Sequence, residues 1–282
     1  MDIIHAGAME WGANLASHRA GGMSHKVLFE GEEGDADNFV FVLANEGSDY
    51  YSPRHRHAWD QVRLCIQGSI PIGKAIAVDD GETAYFPEGV HYGPQEGGPD
   101  RIVLLLQFGG ASGLGYLSAA QLRQGIAALS EEGRFEKGVF RRERGEGRTN
   151  QDAYEAIWTK VTGHEIQYPE PRYKAPIVMR PQAFAWRAEP GAPGVRRRAV
   201  GRFPERSLAL DLIALEAGAG FDVARSDERR LIFVRSGEGR CGEASYSPHT
   251  AIRLEPGEAA YLTAATQSEL FCIAYPLVSA RA

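Results

Sequence analysis

An all-β protein with a few helices is the fold class this sequence predicts, and three observations predict it. Short runs rich in β-branched and aromatic residues follow one another, each bounded by Gly, Asp or Asn. No helical periodicity intervenes between them in the first hundred residues. The same grammar returns in the last hundred, after a stretch of different character. Strands at that rhythm indicate an antiparallel sandwich or barrel.

In chain order, HKVLFEGE, DNFVFVLANEG, DQVRLCIQG, GKAIAVDDG, ETAYFPEG and RIVLLLQFGG read as strands. SAAQLRQGIAALSEEG (118–133) then carries apolar residues near helical spacing, a serine at its start and a glycine at its end. NQDAYEAIWTKVTG (150–163) predicts a second helix with Asn150 as its N-cap. A polar, Gly/Arg-rich loop separates them, and the proline-rich YPEPRYKAP (168–176) follows. SLALDLIALEAG, RRLIFVRSGEG, TAIRLEPGEAAYLTA and SELFCIAYP return to strands. The expected division is therefore a β-domain over 1–110, a helical connection over 111–175 and a second β-domain over 176–282.

The balance of charge, −6 with a pI near 5.8, gives no support for nucleic-acid binding. The basic runs RRERGEGR (141–148) and VRRRAVGR (195–202) read as solvated loops. No apolar stretch reaches the ~18 residues a membrane-spanning helix needs. The first residues lack a basic segment followed by an apolar core, which makes the cytoplasm the expected location. Cys65, Cys241 and Cys272 are scattered, with no CxxC, which argues against a disulfide framework or a thiolate zinc site.

"PRHRHAWDQVRLCIQG" (53–68) carries the chemistry. On a strand, side chains at i and i+2 share a face, so His55 and His57 aim into one space. Gln61, Arg63 and Cys65 continue that face. An inward arginine is costly unless it meets an anion. Arg63 is thus expected either to hold a substrate carboxylate or enolate bidentately or to pair with a buried Asp or Glu. Cys65 reads as a packing residue.

These residues resemble the two motifs of the cupin family. His55-Arg56-His57, three residues, Gln61, then six residues to Gly68 match the first, with glutamine at the family's glutamate position. Gly81, five residues, Pro87-Glu88-Gly89-Val90-His91 match the second, with one residue rather than two before the histidine. The resemblance implies two small β-barrels of the double-stranded β-helix, or jelly-roll, type. It also implies one divalent transition metal held by His55, His57, Gln61 and His91. Iron is the first expectation, and Mn, Ni, Zn or Cu suit such a nitrogen/oxygen site as well. Gln61 leaves that site more positive by one charge than the family's glutamate does.

Two stretches of self-similarity support a second copy. "DDGETAYFPEG" (79–89) resembles "EPGEAAYLTAA" (255–265), and "VRLCIQGSI" (62–70) resembles "LIFVRSGEG" (231–239). Aligning Gly237 with Gly68 puts Ala224, Ser226 and Arg230 at the ligand positions, and aligning Gly257 with Gly81 puts Gln267 at that of His91. This copy is expected to hold no metal, as in the degenerate half of a bicupin. The expected function is a metal-dependent enzyme, foremost a dioxygenase, acting on a small anionic or enolisable substrate that Arg63 orients. Lyase or isomerase chemistry with Tyr85 or Tyr92 moving protons is the alternative enzymatic reading, and a non-catalytic small-molecule binder is the third. A homodimer is the expected assembly, since exposed sheet edges recruit partner strands.

Overall fold

The computed structural model describes residues 1–12, 17–19, 21–114 and 116–278. It divides the chain differently from the expected three parts. Trp11–Val178 form one compact unit, which takes in both helices, and Met1–Glu10 join the segment from Met179 onward in the other. Asp2–His5 explains the exchange of the N-terminus: it pairs antiparallel with Thr250–Leu254.

In the N-terminal unit the long sheet runs, in spatial order, Thr83–Phe86, Trp59–Gln67, Arg101–Gly109, Phe39–Glu46 and Met23–Glu30. Phe39–Glu46 is buried almost throughout, as expected of a strand covered on both faces. Short ladders, Tyr51–Ser52 with Gln95–Glu96 and Ser69–Gly73 with Ile76–Asp79, supply the other strands. The register aligns one face of the long sheet. Arg63 stands opposite Leu105 and Ala84, and Gln61 opposite Gln107 and Phe86. Leu105 faces Val42, Arg101 faces Glu46, and Ala44 faces His25. These residues look into the barrel, because a period of two keeps every second residue on one side.

The C-terminal unit repeats this order. Its long sheet includes, in sequence across it, Thr250–Leu254, Glu228–Ser236, Ser268–Pro276, Leu208–Leu215 and Val195–Phe203. The basic run at 195–202 is therefore a strand and not a loop. Two of its arginines are paired along the sheet, Arg197 with Glu189 and Asp211 and Arg202 with Asp211, while Arg196 and Arg198 lie over the Trp186 ring.

Helix α1 (Ala119–Ser130) starts at Ser118 through a capping box with Gln121, as its sequence suggests. Helix α2 (Ala153–Thr162) is capped by Asp152, not Asn150. Asn150 belongs to a short strand pairing with Val139–Arg142, so the stretch expected as a loop holds a three-stranded ladder. Asp152 accepts from the amides of Tyr154 and Glu155 and binds Arg19 at 3.1 Å. Asp152→Ala should thus cost more than an ordinary cap, about 2 kcal/mol or above. Urea denaturation would check this, and a loss below about 0.5 kcal/mol would contradict it.

Candidate active site

The loop entering Trp59–Gln67 and the turn after Thr83–Phe86 are joined by backbone. The His57 carbonyl accepts from the Gly89 amide at 2.8 Å. Gly89 has φ +78°, and a Cβ there would lie 2.3 Å from the Pro169 carbonyl oxygen, so only glycine makes this approach. Two residues on, His55 and Tyr92 exchange both backbone hydrogen bonds, at 3.0 and 2.9 Å. Tyr92 is therefore the residue set opposite His55. His91, one position earlier, faces the other way and is exposed. The structure does not bring it to the histidine pair, because a one-residue shift in a strand changes face.

The Tyr92 hydroxyl sits 2.9 Å from His55 Nε2 and 3.3 Å from His57 Nε2. His55 Nδ1 donates to the Pro53 carbonyl at 2.7 Å, which leaves Nε2 as the acceptor. His57 stacks on Trp59 with ring centroids 4.1 Å apart, and its Nδ1 has no hydrogen-bond partner. Burial first, then neighbouring positive charges, holds both imidazoles well below the usual histidine range. Burial raises the Tyr92 phenol above its ordinary value, against the opposing pull of Arg63 and Arg19.

Gln61 is fully buried and does not line the cavity. With its amide oxygen toward Arg63 it accepts from Nε at 2.7 Å and Nη2 at 3.1 Å, while its nitrogen faces Gln107 at 2.7 Å. Its place in the structure is to hold Arg63. Tyr85 lies on the opposite face of the sheet, where its hydroxyl donates to Asp60 at 2.9 Å, away from the cavity. Cys65 packs among Ile70, Val78, Phe86 and Val103, and burial pushes its thiol up to about 12.

Arg63 is 5% exposed, with its guanidinium over the rings of Phe86 and Tyr92. Nη2 reaches the Tyr92 hydroxyl at 3.4 Å, while Nη1 has no hydrogen-bond partner among the described residues. Glu46 is near, at 3.9 Å, but its carboxylate is engaged by Arg101 at 3.1 Å. The expectation of a buried acidic partner is met in part: Glu46 is present, yet it serves two arginines. Around Glu46 one positive charge is left over.

His55, His57, Tyr92, Arg63 and Glu46 line a cavity of about 110 Å³. A single water needs on the order of 10–15 Å³ of such space, so there is room for a small organic molecule. Among the described residues lining it, Glu46 is the one carboxylate against two guanidiniums, Arg19 and Arg63. His18, His25, Tyr50, Gln107 and Tyr116 also face it, none of them singled out by a local motif. The far wall comes from the helical segment: Leu117, Leu122 and Tyr154 close it. Long-range packing of an apolar helix face is the only signal that marks those residues.

The two imidazoles suit a divalent transition metal. Burial disfavours the charged form of both, and a ligating imidazole must be neutral; the Nδ1–carbonyl bond of His55 is the kind that orients a ligating Nε2. No group of three or more His, Cys, Asp or Glu side chains with metal-binding geometry occurs among the described residues. A carboxylate does not complete this site.

Among the described residues the second unit has no such cluster. The Ser226 carbonyl accepts from the Gly257 amide at 2.8 Å, the same bond that joins His57 to Gly89. Gly257 therefore corresponds to Gly89 and not to Gly81, so the position of His91 falls on Ala259 rather than Gln267, and that of Tyr92 on Ala260. Arg230, at the position of Gln61, donates to the carbonyls of Ala224 and Glu258. Phe221, Ile232, Val234, Ile252, Leu262 and Leu270 fill the interior.

No protein-family model and no curated protein matches this sequence. Solved structures do. A candidate dioxygenase from Nostoc punctiforme superposes with a TM-score of 0.61 at 9% identity, over 99% of this chain and 83% of that one. Oxalate decarboxylase from Bacillus subtilis gives 0.56 at 13% identity, over 97% and 76%. HEPD from Streptomyces albus, solved with 2-hydroxyethylphosphonate and Fe(II) bound, gives 0.52 at 13% identity, over 91% and 71%. The chain has the cupin fold. Likeness at such identities shows the fold and says nothing of reaction or substrate. No helix among the described residues is long and apolar enough to cross a membrane.

Proposed function

We propose that the N-terminal barrel is a metal-dependent enzyme, in its specific form a dioxygenase, acting on a small anionic or enolisable organic molecule. The observation that carries this reading is Arg63, a buried guanidinium with a free Nη1 in the same cavity as the His55–His57 pair. Glu46 is shared with Arg101, and burying the surplus positive charge is costly. A substrate carboxylate or enolate would offset that cost with charge-assisted hydrogen bonds. His55 and His57 would hold the metal, which when bound supplies Lewis acidity and redox capacity. Gln61 keeps the Arg63 fork in one orientation, and Trp59, Leu117 and Leu122 exclude water from the bound molecule. The Fe(II) in HEPD and the candidate dioxygenase from Nostoc punctiforme support this reading over the lyase alternative, although oxalate decarboxylase is as similar in fold.

Protein purified without chelator or nickel resin should carry close to one ion per chain, and His57→Ala should lose it. Supplied with Fe(II) and a panel of two- to four-carbon carboxylates, it should consume dioxygen. Two ions per chain would overturn a single site in the N-terminal barrel. A carboxylate bound and returned unchanged, with no oxygen uptake, would leave a binding protein in place of an enzyme.

A further inference from the structure

We infer that Tyr92 is itself a ligand, so that His55, His57 and Tyr92 form a site of two imidazoles and one phenolate. This rests on the metal reading above and deepens it. The paired backbone bonds between His55 and Tyr92 fix the phenol opposite the first imidazole. Its oxygen then lies 2.9 Å and 3.3 Å from the two Nε2 atoms. Neighbouring donors on one ion, with bonds of about 2.1 Å, stand roughly 3.0–3.4 Å apart between right-angled and tetrahedral arrangements. Both oxygen–nitrogen distances fall within about 0.1 Å of that range, and the two imidazole rings have centroids 4.9 Å apart. His91 is turned to solvent and cannot supply a third nitrogen.

Charge makes the same point independently. Glutamine at the family's glutamate position removes one negative charge from the ligand set. A phenolate where the family carries a neutral imidazole returns one. The two departures from the motif compensate each other, and neither is explained as well alone. On binding, the metal–oxygen bond replaces the phenol O–H bond and the proton leaves to solvent. Arg63 Nη2, 3.4 Å from the oxygen, provides a cation beside the phenolate.

Phenolate bound to Fe(III) gives a charge-transfer absorption in the visible and tyrosinate ring modes in resonance Raman, which imidazole and carboxylate ligands do not. The metal-free protein titrated with Fe(III) should become coloured at one equivalent. Tyr92→Phe should stay colourless and bind Zn(II) on the order of 100-fold more weakly, the upper end of what loss of an orienting partner alone costs. Tyr92→His should bind Zn(II) with affinity recovered to within about tenfold of the parent and remain colourless with Fe(III), with far-ultraviolet circular dichroism confirming that both variants fold. A coloured Tyr92→Phe, or one binding Zn(II) as tightly as the parent, would overturn the assignment. A parent protein that binds metal without the tyrosinate bands would overturn Tyr92 alone and leave the metal reading standing. A folded parent that binds neither ion would overturn both.

Discussion

Glu46→Ala should destabilise the N-terminal barrel by about 3–5 kcal/mol, the usual result of removing one partner from a buried ion pair. Glu46 is 3% exposed and accepts from Arg101 at 3.1 Å, with Arg63 Nη1 at 3.9 Å. Alanine leaves both guanidiniums buried without a counter-charge. A loss of that size lowers the melting temperature by roughly 6–20 °C in a unit of this length. Glu46→Gln should cost less, because an amide oxygen still accepts from Arg101 at the same place. Adding Arg63→Met to Glu46→Ala should recover part of the loss, since the sites share one network and cannot be additive. Urea denaturation of the parent, Glu46→Ala, Arg63→Met and the double variant gives the coupling directly. A loss below about 1 kcal/mol in Glu46→Ala would mean that water reaches the arginines and replaces the missing carboxylate.

The strands and their repetition were legible in the sequence because each is a short apolar run with a turn at both ends. The His55–His57 pair was legible for the same period-of-two reason. The third position was not. The motif, one residue short at His91, already hinted that the next residue holds the place. Only the bridge between His55 and Tyr92 shows which of the two neighbours turns inward. Gln61 was found by position, but its partner was not: the register that sets Gln61 opposite Gln107 joins residues 46 apart. Glu46, Arg19 and His18 carry no local mark at all. Each reaches the cavity through sheet register or a contact with the helical segment, and single-sequence periodicity does not record those. The Asn150 cap failed for a smaller reason: Asp152, two residues later, offers the better acceptor to the same turn.

Arg63→Met should separate binding from stability, with opposite outcomes for a structural and a functional arginine. Glu46 keeps Arg101 at 3.1 Å when Arg63 is removed, so no carboxylate is orphaned. The surplus positive charge disappears, and methionine fills the space with an unbranched apolar chain. Replacing a buried charge by a packed apolar residue is often neutral or stabilising. The lost hydrogen bonds to Gln61 and Tyr92 offset part of that gain. The variant should therefore unfold within about 1 kcal/mol of the parent. Binding should move far more. Truncating one side of a buried, hydrogen-bonded charge pair costs about 2–5 kcal/mol, which is roughly 30-fold to several thousand-fold in affinity. A small carboxylate that raises the parent's melting temperature in proportion to its concentration should leave Arg63→Met unmoved. Arg63→Lys should restore little of the effect, because an ammonium lacks the planar fork that Gln61 holds in place. If Arg63→Met instead lost several kcal/mol of stability and still bound the carboxylate, Arg63 would be a structural partner of Glu46, and the anion would have to be held by Arg19.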